Sequence, residues 1–280
     1  MRVGLIQVDG KMPNLALMKL SAWHKKRGDE VVLVDMSHEE FDRIYASKIF
    51  VGGSGYDLKS ELPAEIEVEY PDYELFKMSK GERIGFTSRG CMRSCEFCIV
   101  KDKEGPLREA PFDWVNGATK VLLFDNQFLG SPIWKEKLEF FIRHRMKVCI
   151  TQALDIRLVT PEVASVLAKV RFYNHKFSKR RIYFAYDDPS LAQKVTEGIR
   201  ILTDAGIPRH HLMFYVLVGF NTTHEQDMDR IEHLKSLGCL PFIMIHNNKP
   251  DKTLHRLARW INQRYYHVVP WNEFGKRGAS

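Results

Sequence analysis

Between residues 81 and 266, short apolar segments alternate with longer amphipathic ones, and this alternation limits the chain to few folds. The spacing predicts strands at 84–88, 121–126, 147–155, 181–187, 211–220 and 239–246. Helices are expected at 131–145, 161–170, 189–205, 223–237 and 253–264. Leu138, Phe141 and Ile142 recur at helical spacing, as do Ile231, Leu234 and Leu237. Thr160-Pro161 and Ala205-Gly206 supply start and stop signals. Strands separated by helices build an α/β fold with a parallel sheet and right-handed crossovers. Ligands bind such sheets at the carboxyl ends of the strands, so residues just past each strand are the candidate site.

Just past the first strand, residues 90–99 read G-C-M-R-S-C-E-F-C-I, with Cys91, Cys95 and Cys98 in the spacing C-x3-C-x2-C. Three thiols this close suit one metal centre better than a packed core. Structural zinc normally takes four protein ligands, and a cubane iron–sulfur cluster has four irons to hold. Three local cysteines therefore leave one corner open, or call for a distant Cys or His to complete a zinc knuckle.

This stretch, with Phe97 before the last cysteine, resembles the signature of the radical S-adenosylmethionine (SAM) superfamily at each defining position. The resemblance implies that Cys91, Cys95 and Cys98 hold a [4Fe–4S] cluster whose fourth iron is chelated by the amino and carboxylate groups of SAM. It implies reductive cleavage of SAM to methionine and a 5′-deoxyadenosyl radical that abstracts hydrogen from a substrate. It also implies a partial (β/α)6 TIM-like barrel over 81–267 and a flavodoxin- or ferredoxin-like reducing partner. The hard chemistry would belong to the cofactors, and the protein's task would be positioning and exclusion.

The same resemblance nominates cofactor-binding residues at the strand ends. Phe124-Asp125-Asn126-Gln127-Phe128 is similar to a D-D/N-x-F segment near the SAM amino group, so Asp125 and Asn126 are candidates, with strand capping as the competing role. Asp187 and Asp188 match positions that contact the ribose and amino group of SAM, although Asp188 before Pro189 also suits a helix N-cap. Gly219 closes an apolar segment similar to one that cradles adenine, and its missing side chain would let a ligand approach the backbone.

Residues 1–80 form a separate β-α-β-(α)-β run, with strands at 1–8, 29–36 and 44–51 and a helix at 14–27. It resembles a truncated, Rossmann-like version of the cobalamin-binding domain that precedes many radical SAM domains. The D-x-H-x-x-G cobalamin motif is missing, and His38 falls after the second strand, so bound cobalamin is not expected. Gly52-Gly53-Ser54-Gly55 reads as a turn rather than a phosphate loop, and 57–79 as a connector. Residues 268–280 form a C-terminal tail.

No apolar run approaches the roughly 18–20 residues that cross a bilayer, and residues 1–8 lack a signal-peptide pattern. Five cysteines with three in one loop fit a reducing compartment, and a cytoplasmic enzyme is expected. Cys149 and Cys239 stand in apolar surroundings as buried thiols. The net charge of +7 permits phosphate contacts. Basic stretches at 176–181, 209–211 and 264–277, the last with Tyr265, Tyr266 and Trp271, make nucleic acid a candidate partner. The expected function is a radical SAM enzyme acting on a nucleotide, nucleic acid or small metabolite. The alternative is a non-catalytic metal-stabilised binding protein, or a basic zinc-containing nucleic-acid binder.

Overall fold

The computed structural model describes residues 1–34, 40–48 and 70–275. His38, the Gly52–Gly55 turn, most of the 57–79 connector, the ends of the second and third expected strands and the last five residues lie outside the described residues. Contacts divide the chain into two units, Met1–Ile84 and Gly85–Ser280. Among the described residues there are seven α-helices, and the α/β class with parallel sheets is as the alternation requires.

In the first unit, β1 (Arg2–Gln7), α1 (Leu15–Lys25), β2 (Glu30–Leu33) and β3 (Arg43–Ser47) form a parallel sheet of order β2-β1-β3. Asn14 starts α1 because its side chain accepts the amides of Ala16 and Leu17, two of the donors that a helix start leaves without partners. The helix presses Leu17 and Leu20 onto Val3, Leu5 and Tyr45, all buried. His24 is also buried, paired through Nδ1 with Asp29 at 2.6 Å and through Nε2 with the Tyr45 hydroxyl at 3.3 Å.

The second unit opens at the end of β4 (Glu82–Gly85) and passes through a two-residue strand, β5 (Ser88–Arg89). After the cysteine loop and the single turn α2 (Val100–Lys103), β6 (Arg108–Glu109) returns antiparallel to β5. Next come β7 (Lys120–Leu123), α3 (Trp134–Arg143), β8 (Lys147–Ile150), α4 (Pro161–Lys169) and β9 (Arg171–Phe172). The chain then runs through β10 (Ile182–Ala185), α5 (Ala192–Asp204), β11 (Leu212–Val218), α6 (His224–Ser236), β12 (Leu240–Ile245) and α7 (Lys252–Asn262).

Two parallel sheets result, β4-β7-β8-β9 and β10-β11-β12. A parallel bridge between Leu154 and Phe184 links them, and the Leu154 amide donates to the Tyr183 carbonyl at 2.8 Å. Counting that bridge, β7, β8, β10, β11 and β12 neighbour one another in chain order. Among the described residues the strands do not close into a barrel.

The strands are shorter than their apolar runs suggest. β8 stops at Ile150 because Ala153 takes φ 71° and Asp155 turns to cap a short 3-10 turn, its side chain accepting the Arg157 amide. Helix starts follow the sequence closely. Thr160 caps α4 ahead of Pro161, and Thr223 and Gln226 make a reciprocal capping box on α6. The core packs Val121, Leu123, Val148, Ile150, Phe184, Phe214 and Val216 against Leu138, Phe141, Leu167, Ile199 and Ile231. Each such side chain contributes about 1.5–3 kcal/mol by leaving water.

Candidate metal centre

The cysteine loop leaves β5 through Gly90, which no other residue could replace without moving the backbone. Its φ is 74°, and a Cβ there would lie 2.2 Å from the Pro106 carbonyl oxygen. The Cys91 amide donates to the Gly105 carbonyl at 3.2 Å, closing the loop against its own return strand. One oxygen of Glu104 fastens the base of the loop by accepting the Gly90 amide at 3.0 Å, Arg89 Nε at 3.0 Å and Asn126 Nδ2 at 3.1 Å. Burial is the largest influence on Glu104 and raises its pKa. The Arg89 and Gly90 bonds outweigh it and hold the carboxyl below its ordinary value.

Cys91, Cys95 and Cys98 are free and partly exposed. The Arg93 amide donates to Cys91 Sγ at 3.3 Å, and the Cys98 amide to the Cys95 carbonyl at 3.0 Å. Burial raises the Cys95 thiol above its usual pKa, the Arg157 guanidinium pulls it down, and the charges of Cys98, Asp187 and Asp155 push it up. Those neighbours place Cys95 at the carboxyl ends of β8 and β10. Among the described residues, no three His, Cys, Asp or Glu side chains form a group that could hold a metal ion.

Asp155 gathers this end of the sheet. Its carboxylate takes Arg157 through Nε at 2.7 Å and a second guanidinium nitrogen at 2.9 Å, Arg93 Nε at 3.1 Å, and Gln127 Nε2 at 3.3 Å. Burial works to raise its pKa, and the Arg157 pairing overcomes it. Arg93, inside the cysteine loop, is thereby tied to the ends of β7 and β8. Gln127 is only 4% exposed, and its Oε1 is buried with no hydrogen-bond partner among the described residues. A buried acceptor without a donor carries a cost of about 1–3 kcal/mol, which a ligand donor would relieve.

The nominated cofactor residues have different surroundings. Phe97 stacks edge-on against Phe220 with ring centroids 5.8 Å apart, and Phe220 in turn meets His246 at 4.8 Å. These rings join the cysteine loop to the ends of β11 and β12. Asp187 accepts the Leu217 amide at 3.0 Å, and burial pushes its carboxyl up to about 6. Arg230 fixes that corner from α6, donating to the carbonyls of Tyr186, Asp187 and Leu217 and to Asp227.

Three others are occupied elsewhere. Asp125 is fully buried and accepts the Thr87 amide, Thr87 Oγ1 at 2.6 Å and Ser88 Oγ at 2.7 Å, so it holds the strand before the loop. Asp188 is exposed and accepts the Ser190 amide at 2.9 Å as an N-cap. Gly219 has φ 78°, and the space in front of it is filled by Leu254 Cδ1, 2.6 Å from where a Cβ would stand. The close approach that this glycine permits is thus made by α7.

Sequence reasoning gave no role to Gln127, Asp155, Arg157, Glu104 or Lys137. Asp155-x-Arg157, with Asp155 the last residue of the strand expected at 147–155, was the available signal. Lys137 had none: it is fully buried on α3, donating to the Thr87 carbonyl, Ser131 Oγ and Glu109. Cys149 and Cys239 are buried, and desolvation pushes both thiols up to about 12. No helix among the described residues is long and apolar enough to cross a membrane. The sequence matches no protein-family model and no curated protein.

Proposed function

We propose that the chain is a radical SAM enzyme in which Cys91, Cys95 and Cys98 hold three irons of a [4Fe–4S] cluster and SAM takes the fourth. The observation that carries this reading is where the C-x3-C-x2-C loop lies. It comes after β4, the first strand of the parallel sheet, and the two-residue β5, in a unit where β7, β8, β10, β11 and β12 neighbour one another in chain order once the Leu154 bridge is counted. That order supports a partial (β/α)6 barrel, with the loop at the end where α/β folds bind ligands. Cys91, Cys95 and Cys98 would supply the thiolates that hold such a cluster. When bound, the cluster supplies the electron that breaks the SAM sulfonium into methionine and a 5′-deoxyadenosyl radical.

The residues fit such a group. The Arg93 amide on Cys91 Sγ is the kind of hydrogen bond to sulfur that shifts a cluster's potential. The unpartnered Gln127 Oε1 is an acceptor for an ammonium group. Asp155, holding Arg93, Gln127 and Arg157 together, fixes the spacing between loop and strand ends. Asp187, mostly ionised at pH 7 with a pKa of about 6, can accept from a hydroxyl or ammonium. Phe97, Phe220 and His246 form an aromatic wall along one side of the loop. The first unit serves without cobalamin, and a flavodoxin- or ferredoxin-like protein delivers the electron. The substrate is a nucleotide, a nucleic acid or a small metabolite.

Anaerobic reconstitution with iron and sulfide tests the centre itself. About four irons and four sulfides per chain are expected, with a reduced-state electron paramagnetic resonance signal that changes when SAM is added. Zinc without sulfide, or a signal indifferent to SAM, would overturn the proposal.

A further inference from the structure

At the opposite end of the second unit, by the amino ends of β9, β10 and β11, lies a cavity of about 240 Å3. Leu167, Phe172 and Ile207 give it apolar walls, Arg180 and Arg181 supply its charge, and His211 lines it as a ring whose pKa burial and the neighbouring cations hold below the ordinary value. Arg181 is only 8% exposed and donates to the His210 carbonyl at 2.7 Å. Among the described residues no carboxylate pairs with Arg180, Arg181 or His211. The charges that act on Arg181 include Arg264, and those on His211 are His210, Arg180 and Arg181. A guanidinium removed from water among other cations is costly unless an anion completes the site.

The site is also built rather than merely charged. Tyr173 and Arg180 form an antiparallel bridge, and the Asn174 amide donates to the Lys179 carbonyl at 2.9 Å, so a tight turn presents Lys176 and Lys179 beside the cavity. Arg180 donates to the Val170 carbonyl and lies over the Tyr173 ring at 5.5 Å, with Lys147 Nζ at 4.8 Å from the same ring. Two basic segments distant in sequence, 176–181 and 209–211, therefore meet at one opening, and Arg264 is near enough for its charge to act on Arg181.

We propose that this cleft is a phosphate-binding site, separate from the cysteine loop, and that its phosphate belongs to a single-stranded nucleic acid. Arg181 and Arg180 offer planar forks that match phosphate oxygens, and the burial of Arg181 puts its fork in a setting where the pairing is strong, while Arg180 is exposed beside it. One cavity could take one phosphate group. The cations that continue beyond it, Lys147, Lys176, Lys179, Arg209 and Arg264, favour a polyanion over a small ester.

The test is fluorescence anisotropy with a labelled single-stranded 15-nucleotide RNA across a salt series, and calorimetry with pyrophosphate as the free-phosphate arm. The variants are Arg180→Ala/His211→Gln, both partly or fully exposed positions, and Arg181→Lys, which keeps the charge and loses the fork. Lys135→Ala/Lys194→Ala, exposed positions elsewhere, removes two positive charges, one more than the first pair, and so controls for net charge. The expected result is RNA binding weakened at least about tenfold by the first pair and by Arg181→Lys, with little change in the control. The salt slope should fall by about 0.7 per phosphate contact removed. Equal weakening by the control pair, or no binding of either probe by the folded protein, overturns the site. Pyrophosphate binding without RNA binding overturns the nucleic-acid assignment.

Discussion

Asp125 provides a sharp separation between a structural and a cofactor-binding carboxylate. Its oxygens satisfy three buried donors: the Thr87 amide, Thr87 Oγ1 and Ser88 Oγ. Asp125→Ala orphans all three, at about 1–3 kcal/mol each. The two hydroxyls can rotate toward other acceptors, which puts the expected loss near 3–5 kcal/mol by the same principle. Asp125→Asn keeps an oxygen for the hydroxyls but turns an amide group toward the Thr87 N–H, so one donor is lost and about 1–3 kcal/mol is expected. The assay is urea unfolding of the metal-free protein, followed by circular dichroism and fluorescence. Thr87→Val in a double-mutant cycle should show coupling to Asp125 of at least about 0.5 kcal/mol. Stability unchanged in Asp125→Ala, together with lost SAM binding after reconstitution, would refute this account and return Asp125 to the cofactor.

Other residues give equally direct expectations. Gly90→Ala places a Cβ 2.2 Å from the Pro106 oxygen at φ 74°, so at least about 2 kcal/mol should be lost and iron uptake should fail, read by urea midpoint and iron content. Burial raises the Asp187 carboxyl from 3.8 to about 6, so its contribution to stability is full below 3.8 and is lost as pH rises through 6. The metal-free Asp187→Asn protein should therefore gain up to about 3 kcal/mol over wild type at pH 8 and match it near the low-pH limit, in urea titrations at both pH values. Phe97→Ala opens the wall against Phe220, and the reconstituted protein should bleach several-fold faster in air, followed by visible absorbance.

The order of strands and helices was legible because period and caps agree locally: Asn14, Thr160 and Thr223 each start the helix that follows. The strand ends were not, because apolar residues continue past the last ladder bond. The chain leaves β8 through Ala153 at φ 71°, a conformation that the residue type does not announce. The site was legible only as far as chemistry is local. Three cysteines in one loop can be read from spacing. Asp155 becomes a hub through Arg93, and Lys137 becomes buried through Glu109, by folding partners that lie far away in sequence. Gly219 shows a further limit, since a missing Cβ says that something comes close and does not say whether it is a ligand or Leu254.

The most direct test of the central claim is product formation. The reconstituted protein, given dithionite and SAM without oxygen, should release 5′-deoxyadenosine, and Cys95→Ala treated identically should release none. Equal release from both, or none from wild type carrying a verified cluster and offered candidate substrate pools, would contradict the account.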